Sequence, residues 1–286
     1  MTKKIAIISD VHANLEALLA VIEDAERQGA NEIYCLGDLI GYGPNPQQCV
    51  NIAREKNIHL IKGNHEHALS NETYMDAHFT GVANDVIAWT IRQLNTDSLT
   101  YLERLPYAIE IPFDAIGVHA SLDYPERFFY MLPKNSGVRH LLKTFGSLDD
   151  ERVCFTGHTH LEAAYSCSPL WIKLRSYFGL INWVAQHAGM NNPIGYSGRI
   201  DDNQSFPIDG SLKYVFEVGT VGWHRKPKEE KGTDLLNNPA TYVTYDGNTV
   251  TYRRVKYDFV STLRKIEGMG LSKSDTTQLV DKLRGG

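Results

Sequence analysis

Two histidines stand two residues apart in the stretch "RVCFTGHTHL", residues 152–161. In extended backbone the side chains at positions i and i+2 point the same way, so His158 and His160 could share a cation. A pair of histidines exposed in a turn is the plainer interpretation, because His-rich tracts are weak signals by themselves. The choice between the two depends on whether the rest of the chain supplies further ligands.

Further metal-capable side chains each follow an apolar run that predicts a strand. They are Asp10 and His12 in "SDVHAN", Asp38 in "GDLIGYGP", Asn64 and His65 in "GNHE", and His119 in "GVHAS". Each stands at the carboxyl end of its run, which is the edge where open α/β sheets bind ligands. Five of the 11 histidines occupy such places. The other six are interpreted as mostly structural or exposed: His59, His67, His78, His140, His187 and His224.

The donors in these motifs suit two metal ions better than one. Without His65, they are two aspartates, one asparagine and four histidines. That is more than one ion takes, and it suits two ions that share a carboxylate. Nitrogen and oxygen donors without thiolate favour Mn, Fe, Co, Ni or Zn, whereas Mg would want fewer imidazoles. We therefore predict two divalent metal ions as cofactors.

The elements that must position these residues alternate between strands and helices. Strands are predicted at "KKIAIISD", "EIYCLGD" and "IHLIKGNHE", and helices between them at "NLEALLAVIEDAERQG" and "NPQQCVNIAREKN". This alternation implies a parallel sheet with right-handed crossovers. Residues 71–105 are predicted to be largely helical, and "AIEIPF", "AIGVHAS" and "RVCFTGHTH" predict further strands.

The pattern changes after residue 211. Alternation of apolar and polar residues on either side of "YDGN" predicts an antiparallel hairpin. The predicted fold class is α/β, with two β-sheets packed together and helices outside. We expect the first sheet to be rich in parallel pairs and the second to be more antiparallel. The C-terminal residues predict two short helices separated at "GMG".

Composition narrows the class of protein. The chain has 286 residues and a net charge of −5, which argues against nucleic acid as a partner. Its four cysteines form no C-x-x-C pair. Cys35 and Cys154 lie inside apolar runs, which predicts small buried residues rather than ligands or disulfide partners. This cysteine usage fits a reducing compartment. The apolar runs are too short for a signal sequence or a membrane span. We expect a cytoplasmic protein without a membrane partner.

In the order D-x-H, G-D, G-N-H-[ED], H and G-H-x-H, the five motifs resemble those of the calcineurin-like metallophosphoesterases. The stretches "SDVHANLEALLAVIED", "CLGDLIGYGPNP" and "VGTVGWHRK" resemble a bacterial subgroup of YfcE-like and diadenosine-tetraphosphatase-like phosphodiesterases. The resemblance covers most of residues 3–166 and 211–283. It implies a four-layer αββα sandwich with a metallophosphoesterase domain over 1–257, an insertion over 167–210, and a helical tail over 258–286 packed on the same domain.

The resemblance also implies a role for each site residue. One metal would be held by Asp10, His12, Asp38 and His160, and the other by Asp38, Asn64, His119 and His158, so that Asp38 bridges them. A hydroxide between the metals would attack phosphorus in line. His65 would bind no metal, and would protonate or stabilise the leaving oxygen. Manganese or iron is expected, with zinc, nickel or cobalt as alternatives.

The chain departs from the wider superfamily at a phosphate-binding position. Protein Ser/Thr phosphatases of the superfamily carry an acidic residue and an arginine after the second motif, as in G-D-x-V-D-R-G, where this chain has Gly41 and Tyr42. Tyr42, His224 and Arg225 are the remaining candidates for contacts with substrate. Without the arginine, a phosphodiester or a nucleotide phosphoanhydride is favoured over a phosphomonoester.

The predicted protein is thus a metallophosphoesterase that hydrolyses a small phosphoester or a nucleotide. Two alternatives stay open, a phosphomonoesterase and a catalytically weak or inactive scaffold that acts through protein contacts. Loss of a ligand would favour the scaffold, and every position is filled here. A nuclease is disfavoured by the acidic charge and by the lack of a basic stripe interleaved with aromatic residues.

Overall fold

The structure is a computed structural model, and it describes residues 3–131, 137–172, 194–197, 200–224 and 239–284. The strands are Ile5–Ile8 (β1), Glu32–Cys35 (β2), His59–Leu60 (β3), Ala108–Ile111 (β4), Ala115–Val118 (β5), Val153–Thr156 (β6), Glu162–Cys167 (β7), Ile194–Ser197 (β8), Ser205–Pro207 (β9), Lys213–Val218 (β10), Ala240–Tyr245 (β11) and Thr249–Val255 (β12). The helices are Leu15–Arg27 (α1), Pro46–Glu55 (α2), Asn64–Leu69 (α3), Glu72–His78 (α4), Val82–Gln93 (α5), Thr96–Glu103 (α6), Gly137–Ser147 (α7), Phe259–Glu267 (α8) and Lys273–Leu283 (α9), and Pro125–Arg127 form a 3-10 turn.

The strands form two mixed sheets, with the order β3-β2-β1-β11-β12-β9 in the first and β4-β5-β6-β10-β7-β8 in the second. Strand β1 pairs in parallel with β2, and β2 with β3, while β1 is antiparallel to β11. In the second sheet, β6 is parallel to both β5 and β10. The predicted α/β fold of two packed sheets flanked by helices is confirmed.

The expected contrast between a parallel-rich sheet and an antiparallel one is wrong. The hairpin of β11 and β12 forms as predicted, but it joins the first sheet, where Ile5 lies opposite Tyr245. Each sheet therefore combines two parallel pairs with three antiparallel ones. The physical reason is that β1 would otherwise present an unpaired edge, and the hairpin covers it.

Strand β1 is buried on both faces, as its run of apolar residues predicts. Ile5 and Ile7 belong to the apolar layer between the two sheets, whereas Ile8 packs in the layer that contains Leu18 of α1. Burying a side chain of this size contributes about 1.5–3 kcal/mol. The strand that carries the first motif is thus anchored from both sides.

The predicted helices are confirmed, and their starts follow from capping. Asn14 caps α1 by accepting the backbone N–H of Ala17 at 3.1 Å, and Pro46 occupies the first turn of α2. Helices α4, α5 and α6 fill residues 71–105, and the tail forms α8 and α9. The described part of the chain contains no helix that is long and apolar enough to cross a membrane.

One apolar cluster packs the two C-terminal helices on the sandwich, and strand pairing joins part of residues 167–210 to both sheets. Phe259 of α8 and Leu279 of α9 pack in one cluster with Val86 of α5. Within residues 167–210, strands β8 and β9 pair with β7 and β12, and residues 173–193 and 198–199 lie outside the described residues. All four cysteines are buried, and Cys35 and Cys154 are free, which confirms the expectation for these two residues.

Candidate active site

The predicted site residues lie where five strands end. Asp10 and His12 follow β1, Asp38 follows β2, Asn64 and His65 begin α3 after β3, His119 follows β5, and His158 and His160 follow β6. Because β1–β3 belong to the first sheet and β5 and β6 to the second, one edge of the sandwich collects side chains from both. Asn64 is half-buried and the others are buried. The structure brings together every predicted ligand and His65.

Five of these residues adopt the left-handed backbone conformation, with φ values of 54° at Asp10, 48° at His12, 52° at Asp38, 66° at His158 and 60° at His160. This conformation costs a residue other than glycine on the order of 1 kcal/mol. Backbone hydrogen bonds impose it, since His12 N–H donates to the Asp38 carbonyl at 2.8 Å. Strain concentrated in this way is typical of functional sites.

One group of side chains surrounds Asp10. His160 Nε2 lies 3.2 Å from Asp10 Oδ1 and 3.1 Å from His12 Nε2. His12 Nδ1 donates to the Ile40 carbonyl at 3.4 Å, and His160 Nδ1 donates to the Trp223 carbonyl. Because a carbonyl only accepts, each Nδ1 carries the proton, and the two Nε2 lone pairs face each other. That contact is repulsive unless a cation or a proton lies beside both atoms, so the residues fit a metal ion.

A second group surrounds Asp38. His119 Nε2 lies 3.4 Å from Asp38 Oδ2 and 3.1 Å from Asn64 Oδ1, while His119 Nδ1 donates to the Leu36 carbonyl at 2.7 Å. Ligand atoms of Asp38, His119 and His158 lie within 4.8 Å of one another. The same Oδ2 of Asp38 is 3.7 Å from Nε2 of His12. The Asp38 carboxylate is therefore next to both groups.

Electrostatic interactions keep both aspartates ionised. Burial would raise the pKa of Asp10, but His160 outweighs it and holds that pKa well below its usual range. Burial also opposes ionisation of Asp38, and His119 and His65 lower the pKa of Asp38 nevertheless. Burial would lower the pKa of His119, and Asp38 raises it to about 9. The site thus concentrates anionic oxygens and imidazoles, the donor set of a divalent cation.

His65 lies beside His12 and Asp38, with its ring 4.8 Å from that of His12. Its backbone N–H donates to Asp38 Oδ1 at 2.9 Å, and its Nε2 lies 3.9 Å from Asp38 Oδ2. Its buried Nδ1 has no hydrogen bond among the described residues, and a Cβ added at Gly41 would lie 2.1 Å from it. Burial lowers the pKa of His65 to about 4. The possible ligand atoms of His12, Asp38 and His65 lie within 4.8 Å of one another. The geometry therefore allows His65 to act either as a metal ligand or as a proton carrier.

Glu66 ties the second motif to the third, a role that the sequence analysis does not assign. Its Oε2 accepts the backbone N–H of Asp38 at 2.8 Å and of Gly63 at 2.9 Å, and its Oε1 accepts that of Ile40 at 3.1 Å. Burial, together with the charge of Asp38, raises the pKa of Glu66 to about 7. The signal is present in "GNHE", because a glutamate three residues after a helix N-cap can accept the N-cap N–H.

The three residues predicted to contact substrate lie in different places. Tyr42 lines a cavity beside the site, and its ring packs on those of His12, His65 and Trp223 at centroid distances of 4.9, 4.7 and 5.4 Å. His224 is half-buried and does not line this cavity. Arg225 lies outside the described residues.

The cavity has a volume of about 400 Å³, and Asp38, Asn64, His65, His158 and His160 form one part of its lining. The other lining residues are not among those predicted from the sequence, and they include Tyr74, His78, Phe79, Arg127, Phe128, Phe129, Tyr130 and His140. These residues come from α4 and the position that follows it, the loop after β5, and α7. None of them ends a strand, so the pattern that marks the other site residues does not mark these.

The family model for calcineurin-like phosphoesterases matches residues 3–162, a range that contains all the predicted ligands and His65. Uncharacterized protein MJ0912 of Methanocaldococcus jannaschii is 30% identical over 267 residues, which cover 92% of this chain and 91% of that protein.

Solved structures show the same architecture. A metallophosphoesterase from Sphaerobacter thermophilus matches with a TM-score of 0.70 and 29% sequence identity, over 98% of both chains. Hypothetical protein PH1004 from Pyrococcus horikoshii matches with a TM-score of 0.65 over 96% of this chain and 97% of that one. Its sequence identity is 15%, so this second likeness concerns the fold alone.

Proposed function

The chain belongs to the calcineurin-like phosphoesterase family, and we propose that it hydrolyses phosphodiesters or nucleotide phosphoanhydrides with two divalent metal ions. Hydrolysis of phosphoester bonds is the activity of the family. The observation that carries the proposal is the position of Asp38 Oδ2, which lies 3.7 Å from His12 Nε2 and 3.4 Å from His119 Nε2. One carboxylate between two groups of ligands suits a shared metal ligand.

Two sets of residues would hold the ions. The first set is Asp10, His12, Asp38 and His160, and the second is Asp38, Asn64, His119 and His158. The facing Nε2 atoms of His12 and His160 support a cation at the first set. Manganese or iron suits these donors, with zinc, nickel or cobalt as alternatives. When bound, two such ions neutralise charge on phosphoryl oxygens and lower the pKa of water.

The residues around the ligands fix their orientation. The carbonyls of Leu36 and Ile40 hold the Nδ1 protons of His119 and His12, which directs each Nε2 into the site. His65 is proposed to protonate or stabilise the leaving oxygen, and the negative charge of a bound phosphate would favour the protonated ring that burial disfavours. Its ring lines the cavity and packs edge-on against Phe79 at a centroid distance of 4.9 Å.

The residues that follow Asp38 support a diester rather than a monoester. The positions that follow it hold Gly41 and Tyr42, and Tyr42, whose ring packs on His12 and His65, supplies no positive charge for a phosphate. A diester carries one negative charge, which two cations balance unaided, whereas a monoester dianion needs a further positive donor.

Arg127 keeps a phosphomonoesterase as a second candidate function. It lines the cavity and could grip a dianion, although it is exposed and its guanidinium packs over the Tyr124 ring at 5.5 Å. An inactive scaffold is less well supported, because all the proposed ligands and His65 are present and adjacent.

We also propose that the protein acts in the cytoplasm on a small substrate. Cys35, Cys49 and Cys154 are free and buried, as is usual in a reducing compartment. The net charge of −5 argues against a nucleic-acid substrate.

A panel of substrates tests the proposed function. With Mn²⁺ added, we expect hydrolysis of bis-p-nitrophenyl phosphate to exceed that of p-nitrophenyl phosphate by about tenfold or more, and a chelator to suppress it. Strong monoesterase activity without diesterase activity would contradict the diester preference, and loss of that activity in Arg127→Gln would assign the phosphate contact to Arg127. Absence of hydrolysis by metal-loaded protein would favour the scaffold.

A further inference from the structure

The cavity beside the site has an aromatic rather than an aliphatic lining. Its described part contains Tyr42, Tyr74, Phe79, Phe128, Phe129 and Tyr130, and Ala83 is the one aliphatic residue among them. Aromatic rings bind planar groups by stacking, with centroids about 4.5–7 Å apart. Because the described residues of the lining include no leucine, isoleucine, valine or methionine, the cavity suits a planar ligand better than an alkyl chain.

Residues 122–131, which we call the aromatic loop, are held at both ends by one side chain of α7. The N–H of Leu122 donates to Thr144 Oγ1 at 3.0 Å, and Thr144 Oγ1 donates to Met131 Sδ at 3.2 Å. Phe128 is buried in the middle of the loop, with its ring 5.8 Å from that of His119. A loop fixed in this way loses little conformational entropy when a ligand binds.

Tyr130 places an aromatic ring directly beside the proposed metal ligands. Its ring stacks on that of His158, with centroids 4.0 Å apart and planes 25° apart, and 40% of the residue's surface is exposed. The cavity volume of about 400 Å³ lies in the range of small-molecule sites and exceeds what a phosphate group alone would fill. A planar group attached to the phosphate would therefore lie near Tyr130.

The same cavity favours a ligand with negative charge. Arg127 of the aromatic loop supplies a positive charge, and Asp38 is the one carboxylate among the described residues of the lining. The ring nitrogens of His78 and His140, which also line the cavity, can donate hydrogen bonds to phosphate oxygens. An anionic phosphate and a planar aromatic ring occur together in nucleotides.

We infer that the aromatic loop is a base-binding subsite, in which Tyr130 stacks on the base of a nucleotide whose phosphate occupies the metal site. The inference rests on the proposed function, because it takes the substrate phosphate to lie between the two groups of ligands. It assigns the substrate class as nucleoside phosphoesters, and it makes Tyr130 a residue that determines specificity.

Equilibrium binding of two matched ligands tests this subsite. AMP and ribose 5-phosphate share the sugar phosphate, and AMP carries adenine where ribose 5-phosphate carries the anomeric hydroxyl. Their affinities for the Mn²⁺-loaded protein can be compared by isothermal titration calorimetry, with recovery of intact ligand as a check. We expect AMP to bind about tenfold more tightly or better, because stacking of one base contributes that much. Tyr130→Leu should remove the advantage of AMP, so that the ratio of the two affinities falls to about one.

Tyr196→Leu is the matched control. Tyr196 is also exposed and stacked on another ring, that of Tyr165 at 5.2 Å, but it does not line the cavity. This variant should keep the preference for AMP.

Three results would overturn the base-binding subsite: equal affinities of the unsubstituted protein for AMP and ribose 5-phosphate, equal weakening of both ligands by Tyr130→Leu, or binding of hexyl phosphate as tightly as AMP. Binding does not require turnover, so the two proposals fail separately. A preference for AMP without hydrolysis of any phosphoester supports the subsite and contradicts the proposed function. Hydrolysis of phosphoesters without a preference for AMP in binding supports the proposed function and contradicts the base-binding subsite.

Discussion

Asp38→Asn is expected to abolish turnover and to loosen both metal ions. Asp38 Oδ2 lies beside His12 on one side and His119 on the other, so the loss of its charge weakens both sets of ligands at once. The stabilisation that metal ions give a phosphoryl transition state is several kcal/mol, so we expect the rate on bis-p-nitrophenyl phosphate to fall by about 10³-fold or more. Metal content by mass spectrometry and kcat on the same sample measure both effects.

Asp24→Asn is the control for this substitution. Asp24 is also buried, but it lies away from the site, where it accepts the Tyr242 hydroxyl at 2.8 Å and pairs with Arg253 at 3.3 Å. That variant should keep both metals and its activity in the folded fraction. Two full equivalents of metal and near-normal activity in Asp38→Asn would refute the bridging role.

His65→Gln is expected to keep both metals while kcat falls by about 10²–10⁴-fold, the usual contribution of a general acid. The ring lines the cavity, and its backbone N–H rather than its side chain is tied to Asp38. Glutamine retains polarity and approximate length but cannot deliver the proton. The loss should be largest for substrates with poor leaving groups, so a series of aryl and alkyl diesters measures it.

His67→Gln separates an effect on chemistry from an effect on α3. His67 is two residues along the same helix, its Nδ1 contacts the Tyr107 hydroxyl at 2.8 Å, and it does not line the cavity. That variant should retain the leaving-group dependence of the unsubstituted protein. Loss of one metal equivalent in His65→Gln would instead show that His65 is a ligand, which its distance from His12 and Asp38 permits.

The positions of the site residues are predictable from sequence because they depend on local patterns. An apolar run such as Ile5–Ile8 marks a buried strand, and parallel strands with right-handed crossovers bring their carboxyl ends to one edge. A polar residue directly after such a run, as at Asp10 or Asp38, therefore lies at that edge. The same reasoning holds for His119 after β5 and His158 after β6.

Other features depend on contacts between distant residues, which local patterns do not encode. The pairing of β1 with β11 joins Ile5 to Tyr245, and periodicity alone does not select that partner. The aromatic loop is positioned by Thr144, which lies beyond it in the chain, so its place beside His158 is visible only in the folded structure. Left-handed backbone at Asp10 and Asp38 likewise results from the surrounding hydrogen bonds.

Stepwise metal reconstitution tests the two-metal site most directly. The protein is stripped with a chelator and dialysed, Mn²⁺ is added in fractions of an equivalent, and bound metal and hydrolysis of bis-p-nitrophenyl phosphate are measured on each sample. We predict binding that saturates at two equivalents per chain, with activity reaching its maximum only as the second equivalent binds. Full activity at one equivalent, or activity that persists without bound metal, would contradict a site in which Asp38 serves two ions.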